Sequence, residues 1–167
     1  MQKAWFYEVH GPKEVLKLGD FPIPYPVQNQ LLVQVCAAAL NPIDFKLCCN
    51  PLVFTDFPVG KGDHVSRFEV GDEVYGNIQN FNAEGEFKQL GTLAQFIFVE
   101  ENLVASKPKN LSFQEAASFP VAVQTAVEGF KSAGFKEGQT IFIVGGAGGF
   151  GSLAVQLAKF LEKFWRS

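Results

Sequence analysis

The chain has 167 residues, enough for one ordinary domain and its core but not for two complete ones. Hydrophobic residues make up 47% and charged residues 19%, the balance of a globular chain and not of a disordered one. A formal net charge of −3 with no run of Lys or Arg argues against a nucleic-acid partner, and no stretch is long and apolar enough to span a bilayer.

The N-terminal residues Met1 to Glu8 carry neither an apolar signal core nor an Arg/Ser-rich transit pattern, so a cytoplasmic location is expected. Ala4 to Val9 reads as a first strand, stopped by His10-Gly11-Pro12, and Val15 to Leu18 as a second extended piece. Pro22, Pro24 and Pro26 then force an extended path that cannot be a central strand. Gln30 to Leu40 is the clearest strand, with Leu31, Val33 and Val35 on one side and Leu32, Gln34 and Cys36 on the other. Asn41-Pro42-Ile43-Asp44 reads as a helix start: Asn caps, Pro presets the first turn and Asp suits the positive end. That helix is short and stops before Asn50-Pro51.

Val70 to Gly76 is turn then strand, Asn77 to Gly91 a polar loop, Thr92 to Val99 a β-prone run, and Leu103 to Ala105 another short extended piece. The character changes at Leu111. Ser112-Phe113-Gln114-Glu115 matches a capping box, and Pro120 opens a second helix that Gly134 closes. Thr140 to Val144 reads as a buried strand, Gly145 to Gly151 as a glycine loop, and Ser152 to Phe164 as an amphipathic helix. That helix should turn Leu153, Gln156, Leu157 and Phe160 to one side, flanked by Ala154, Ala158 and Leu161. The fold class is therefore mixed α/β, with a β-rich part over 1–110 and a β-loop-α part over 111–167.

Two side-chain classes are uninformative. The three cysteines, Cys36, Cys48 and Cys49, read as free thiols of a reducing compartment; with only His10 and His64 beside them and no C-x-x-C, no metal site is expected. The 18 phenylalanines point to a core filled by aromatics sooner than to an aromatic ligand cage.

The chemistry sits in Gly146-Ala147-Gly148-Gly149-Phe150-Gly151, which fits G-x-G-x-x-G in the context the motif requires: an apolar strand before it, a helix directly after. Gly146 permits the sharp turn, Gly148 removes the Cβ that would block a pyrophosphate, and Gly151 lets helix and strand approach. The free N–H groups of the first helical turn, Gly149, Phe150, Gly151 and Ser152, then favour a diphosphate. The competing reading is a tight strand–helix turn with no ligand. An acidic or basic residue that separates NAD from NADP belongs about 20 residues further on. Ser167 comes first.

Taken in order, these segments resemble a known family. They are Asn41 to Lys46, Val70 to Gly76, Gly91 to Phe96, Glu115 to Ala126 and Gly145 to Lys159. The family is the zinc-free quinone oxidoreductase subfamily of medium-chain dehydrogenase/reductases, and within it the plant enone reductases. The resemblance implies a GroES-like β domain followed by the start of a Rossmann nucleotide-binding domain. It implies NADP(H) as cofactor and reduction of the C=C bond of an enone or quinone; no zinc takes part. It also allows a homodimer in the intact family.

By position, Lys46 matches a cleft lysine that contacts cofactor or substrate, Asn41 and Asp44 a pair near the nicotinamide, and Thr125 a threonine at the nicotinamide end. Each has a plainer reading beside it: a solvated lysine, helix caps, a helix threonine. Tyr75 reads as core. The catalytic candidates are thus Lys46, Asn41 and Asp44, and the cofactor candidates Lys46, Thr125, Gly146, Gly148, Gly149, Phe150, Gly151 and Ser152.

Two departures stand out. The family places a Pro-Gly-x-Asp-x-x-Gly-x-Val strand where Asp56-Phe57-Pro58 here runs straight into Val59-Gly60-Lys61-Gly62-Asp63-His64-Val65. One strand of the GroES-like domain is therefore expected to be missing, with its neighbours' edges exposed. The family also continues beyond Lys159 to a second nucleotide-domain strand, where this chain reads Phe160 to Ser167. The expectation is a truncated chain with impaired reductase activity; the alternatives are a non-catalytic remnant, an interaction fragment, or a piece that acts with a complementary chain.

Overall fold

The computed structural model describes residues 1–9, 12–42, 44, 53–78 and 91–165. They divide into two compact units, Met1–Ser118 and Phe119–Ser167.

In the first unit, β1 (Gln2–Phe6) pairs antiparallel with β2 (Lys17–Phe21), which sets Trp5 opposite Leu18. The proline-rich stretch after β2 forms no strand, as residues without a backbone N–H dictate. Five more strands build one antiparallel sheet: β3 (Gln30–Ala39), β4 (Val53–Lys61), β5 (Val74–Asn77), β6 (Phe96–Glu100) and β7 (Val104–Ser106). Their order is β6-β3-β4-β5-β7. The buried Gln2 amide stitches the hairpin to this sheet: Nε2 donates to the Pro22 carbonyl at 3.1 Å and Oε1 accepts the Phe96 N–H at 2.6 Å.

The alternation expected in β3 holds, with Leu31 and Val33 fully buried and Gln34 and Cys36 exposed. Val74, Val99 and Ile78 complete the driest part of the core, alongside Phe68 and Ile97. Each fully buried Val or Leu contributes about 1.5–3 kcal/mol.

The family's residue pattern is absent, yet β4 lies between β3 and β5 and is paired to both. Pro58 is accommodated because the register slips beside it: Leu32 faces Gly60 while Val33 faces Pro58. A bulge is where a ladder tolerates a residue that cannot donate.

Helix α1 (Phe113–Ser118) packs against β3, β4 and β5, so the division between units falls after it. Its capping box forms as the sequence implies. The Ser112 N–H donates to Glu115 Oε2 at 2.8 Å, and the Glu115 N–H donates to Ser112 Oγ at 3.2 Å. Lys107, buried at the end of β7, anchors the same corner: its ammonium sits 3.0 Å from the Glu73 carboxylate and donates to the carbonyls of Pro108 and Leu111.

The second unit holds α2 (Pro120–Ser132) and α3 (Gly149–Trp165). Pro120 opens α2, and Gly134 closes it at φ +63. The Gly134 N–H reaches back to Lys131 O and the Phe135 N–H to Phe130 O, while the Phe130 and Phe135 rings lie 5.4 Å apart. This is a Schellman closure with its accompanying apolar contact. Ala126 and Phe130 of α2 meet Ala154 and Ala158 of α3, with Ile141, Ile143, Leu157 and Leu161 packed around them.

Three expectations are corrected here. Thr140 to Val144 is not a strand, because no chain segment among the described residues lies alongside to complete a ladder. It keeps only a strand's alternation: Ile141 and Ile143 face the cluster, while Phe142 and Val144 are 89% and 82% exposed. The buried line of α3 runs through Gly151, Ala154 and Ala158, with Gln156 exposed and Phe160 61% exposed. Small residues let α3 approach α2 closely, which the larger Leu153 and Phe160 would not. Finally, aliphatic side chains, not aromatic ones, dominate the described core; Phe68 and Phe130 are its buried phenylalanines.

Candidate functional site

The glycine loop is the best-defined feature of the second unit. The chain turns at Gly145, which takes φ +73. Its carbonyl accepts the Gly148 N–H at 2.9 Å. The Gly148 carbonyl then accepts the Ser152 N–H at 2.9 Å, the first bond of α3. By helix geometry the N–H groups of Gly149, Phe150 and Gly151 have no carbonyl one turn behind them. They carry the positive end of a 17-residue helix. No charged residue occurs from Gly138 to Ala158, so the loop itself brings no charged side chain to the head of the helix.

The three fingerprint glycines are not equivalent. A Cβ on Gly151 would overlap the Gly145 carbonyl oxygen and lie 2.8 Å from Gly146 Cα, so the helix start rests directly on the turn. A Cβ on Gly148 meets one protein atom within 4 Å, the Gly145 oxygen at 3.3 Å, and Gly148 is exposed. A Cβ on Gly146 has ordinary contacts, at 3.6 Å or more. The turning role given to Gly146 therefore belongs to Gly145, which stands one place before the motif. The signal that could have found it is the Gly-Gly pair itself. Ser152 is already engaged: besides its N–H, its hydroxyl donates to the Gly149 carbonyl at 3.2 Å.

The other candidates are placed separately. Asn41 and Asp44 lie together just after β3, in the first unit. The Asp44 carboxylate is buried and accepts the Asn41 N–H, and the Asp44 N–H donates to Asn41 O at 3.0 Å. The first bond is the side-chain half of a helix cap, and the second is a backbone turn. Lys46, Cys48, Cys49 and His10 lie outside the described residues. Thr125 sits on the exposed side of α2, its hydroxyl donating to the Val121 carbonyl at 2.7 Å. Tyr75 is half-buried in β5. Among the described residues no three His, Cys, Asp or Glu side chains gather into a metal-binding group, and no helix is long and apolar enough to cross a membrane. One titration is shifted: the Ser112 backbone N–H, and then its hydroxyl, hold the Glu115 carboxyl below the usual carboxylate range.

With this geometry in hand, the relatives are informative. No family model matches the chain. It is 46% identical over 171 aligned residues to the 2-methylene-furan-3-one reductase of Solanum lycopersicum, covering 94% of this chain and 44% of that protein. It is 42% identical to the chloroplastic NADPH-dependent alkenal/one oxidoreductase of Arabidopsis thaliana, with the same coverage of 94% and 44%. The solved quinone oxidoreductase of Coxiella burnetii superposes with TM-score 0.82 at 32% identity, over 96% of this chain and 54% of that one. Fold and sequence thus define a medium-chain dehydrogenase/reductase architecture, a GroES-like sheet unit followed along the chain by nucleotide-domain elements. Within it, the chain is of the quinone oxidoreductase type, near the plant enone reductases, and spans about half the length of the curated relatives it matches.

Proposed function

We propose that this chain carries the NADP(H) loop and the substrate-facing unit of an enone or quinone reductase. The observation that supports it most is the glycine loop: a turn at Gly145, an exposed Gly148 and a Gly151 with no room for a side chain, at the head of a helix that carries no charged residue before Lys159. The N–H groups of Gly149, Phe150 and Gly151 hold the diphosphate, while Gly148 leaves its approach open. NADPH, when bound, supplies a hydride to the β-carbon of an α,β-unsaturated carbonyl; the enolate so formed takes a proton at its α-carbon. The chain's own part is to orient the two reactants and stabilise the enolate oxygen, for which Lys46 is the proposed cation. Asn41, Asp44 and Thr125 are proposed to line the nicotinamide end.

Turnover by the 167-residue chain is proposed to be impaired. Hydride transfer needs the reacting atoms held about 3–3.5 Å apart. Thr140 to Val144, which should support the cofactor from below, has no ladder partner among the described residues. The cytoplasm is the compartment proposed with this reading, and cell fractionation decides it.

The test is to titrate the purified chain with NADPH by fluorescence and then add a simple alkyl vinyl ketone. Saturable binding with slow oxidation is the expected result. Absence of binding sinks the cofactor reading, and rapid enone-dependent oxidation overturns the impairment. Where turnover is measurable, Lys46→Ala should lower kcat more than NADPH affinity, since an enolate-stabilising cation acts in the transition state.

A further inference from the structure

We infer that Gly145, outside the G-x-G-x-x-G motif, is the positioning residue of the loop, and that it acts through backbone handedness alone. The inference rests on the dinucleotide reading above and deepens it. Four glycines take a positive φ among the described residues, and Gly145, at +73, is the one in this loop; Gly146, Gly148, Gly149 and Gly151 do not share that conformation. Two later glycines depend on it. The Gly145 carbonyl accepts the Gly148 N–H at 2.9 Å, which fixes where Gly148 stands. The same carbonyl occupies the space that a Gly151 Cβ would need, so its direction sets how the first turn of α3 is seated. If Gly145 left the left-handed region its carbonyl would swing away. Gly148 would lose its bond, and the three N–H groups at the head of α3 would no longer point into one cradle.

Space is not the constraint at Gly145. A Cβ built there meets nothing within 4 Å. A side chain fits; an L-residue's reluctance to hold this φ is what excludes it. Size and handedness can therefore be separated by two substitutions. Ala is small but avoids the left-handed region. Asn is larger but visits it several-fold more readily than other non-glycine residues.

The experiment compares the full chain with Gly145→Ala and Gly145→Asn by two readouts, NADPH titration and hydrogen exchange of the Gly148 amide. Gly145→Ala should weaken NADPH binding about tenfold, the factor that a left-handed penalty of this kind implies. It should speed Gly148 exchange by a similar factor, and Gly145→Asn should restore most of both. Equal loss in Ala and Asn would show that bulk, not handedness, matters, and would overturn the inference. So would unchanged Gly148 exchange in Gly145→Ala. The exchange readout needs no cofactor: if the parent chain fails to bind NADPH while exchange still follows the Ala/Asn pattern, the dinucleotide reading fails and the loop assignment stands.

Discussion

The two units solve the same problem, burying apolar surface, with opposite success. In the sheet unit every strand of the larger sheet has a partner, and Leu31, Val33, Val74 and Val99 are completely covered. In the helical unit the buried cluster among the described residues is three alanines and one Phe ring, while Phe142, Val144 and Phe160 are exposed. The difference lies in long-range pairing, not in composition. A segment as apolar as Thr140 to Val144 becomes a strand when a neighbour supplies its hydrogen bonds, and otherwise has the pattern of a strand without its stability. Stability should reside in the sheet unit, while the proposed cofactor loop lies in the helical one.

The sharpest way to break that contrast is Leu31→Ala. It empties a fully buried site and should cost the sheet unit about 2–5 kcal/mol, read as a lowered urea midpoint. A loss under ~1 kcal/mol would mean that the sheet core is as loose as the helical cluster.

Next in size is Gly151→Ala. Its Cβ meets backbone, not a movable side chain, so the loop itself must shift. Overpacking of this kind costs about 1–3 kcal/mol. The helical unit should melt earlier and NADPH affinity should fall with it, while the sheet unit's transition stays put.

Third is the capping box of α1. Ser112→Ala should cost about 1 kcal/mol. The box also carries a pH signature. Because Glu115 has a depressed pKa in the folded chain, its contribution is complete above the unfolded glutamate value of about 4.3 and fades as pH falls through the lower folded value. Glu115→Gln should flatten that acid limb of the stability profile, and an unchanged limb would count against the box.

The smallest effect on stability belongs to Phe142→Ser. An 89% exposed side chain has few contacts to lose, so the change should stay within about ±0.5 kcal/mol. Binding of a hydrophobic dye and aggregation should drop clearly, because an unguarded aromatic patch is removed. A large destabilisation would show that Phe142 is covered in solution.

Local signals were the legible part of this chain. The β3 alternation, the prolines after β2, the Ser112/Glu115 box, and the Pro120 and Gly134 helix limits were all readable, because each rests on neighbours within a few residues. What could not be read depends on distant segments. The sequence shows Asp56-Phe57-Pro58 only as running straight into a gap in the family pattern; the place of β4 between β3 and β5 comes from pairing across the sheet. Thr140 to Val144 failed for the reverse reason, since the pattern was right and no partner lies alongside it among the described residues. At the site the motif found the loop but put the turn one residue late: spacing alone does not say which of two adjacent glycines takes the positive φ. Of the remaining candidates, the bonds between Asn41 and Asp44 and the Thr125 bond to Val121 are local contacts of the kind a sequence shows, whereas a part in the site depends on segments far along the chain.

The most direct test of the central claim, that the glycine loop is a dinucleotide site, is NADPH titration of the chain against Gly148→Val. A Cβ at Gly148 has one close protein neighbour, the Gly145 backbone oxygen at 3.3 Å, against the direct backbone overlap at Gly151, so the branched side chain should disturb the melting profile less than Gly151→Ala does while filling the diphosphate's approach. The account predicts saturable NADPH binding by the parent chain and none by the variant under conditions where both are folded. Binding that survives Gly148→Val would contradict it.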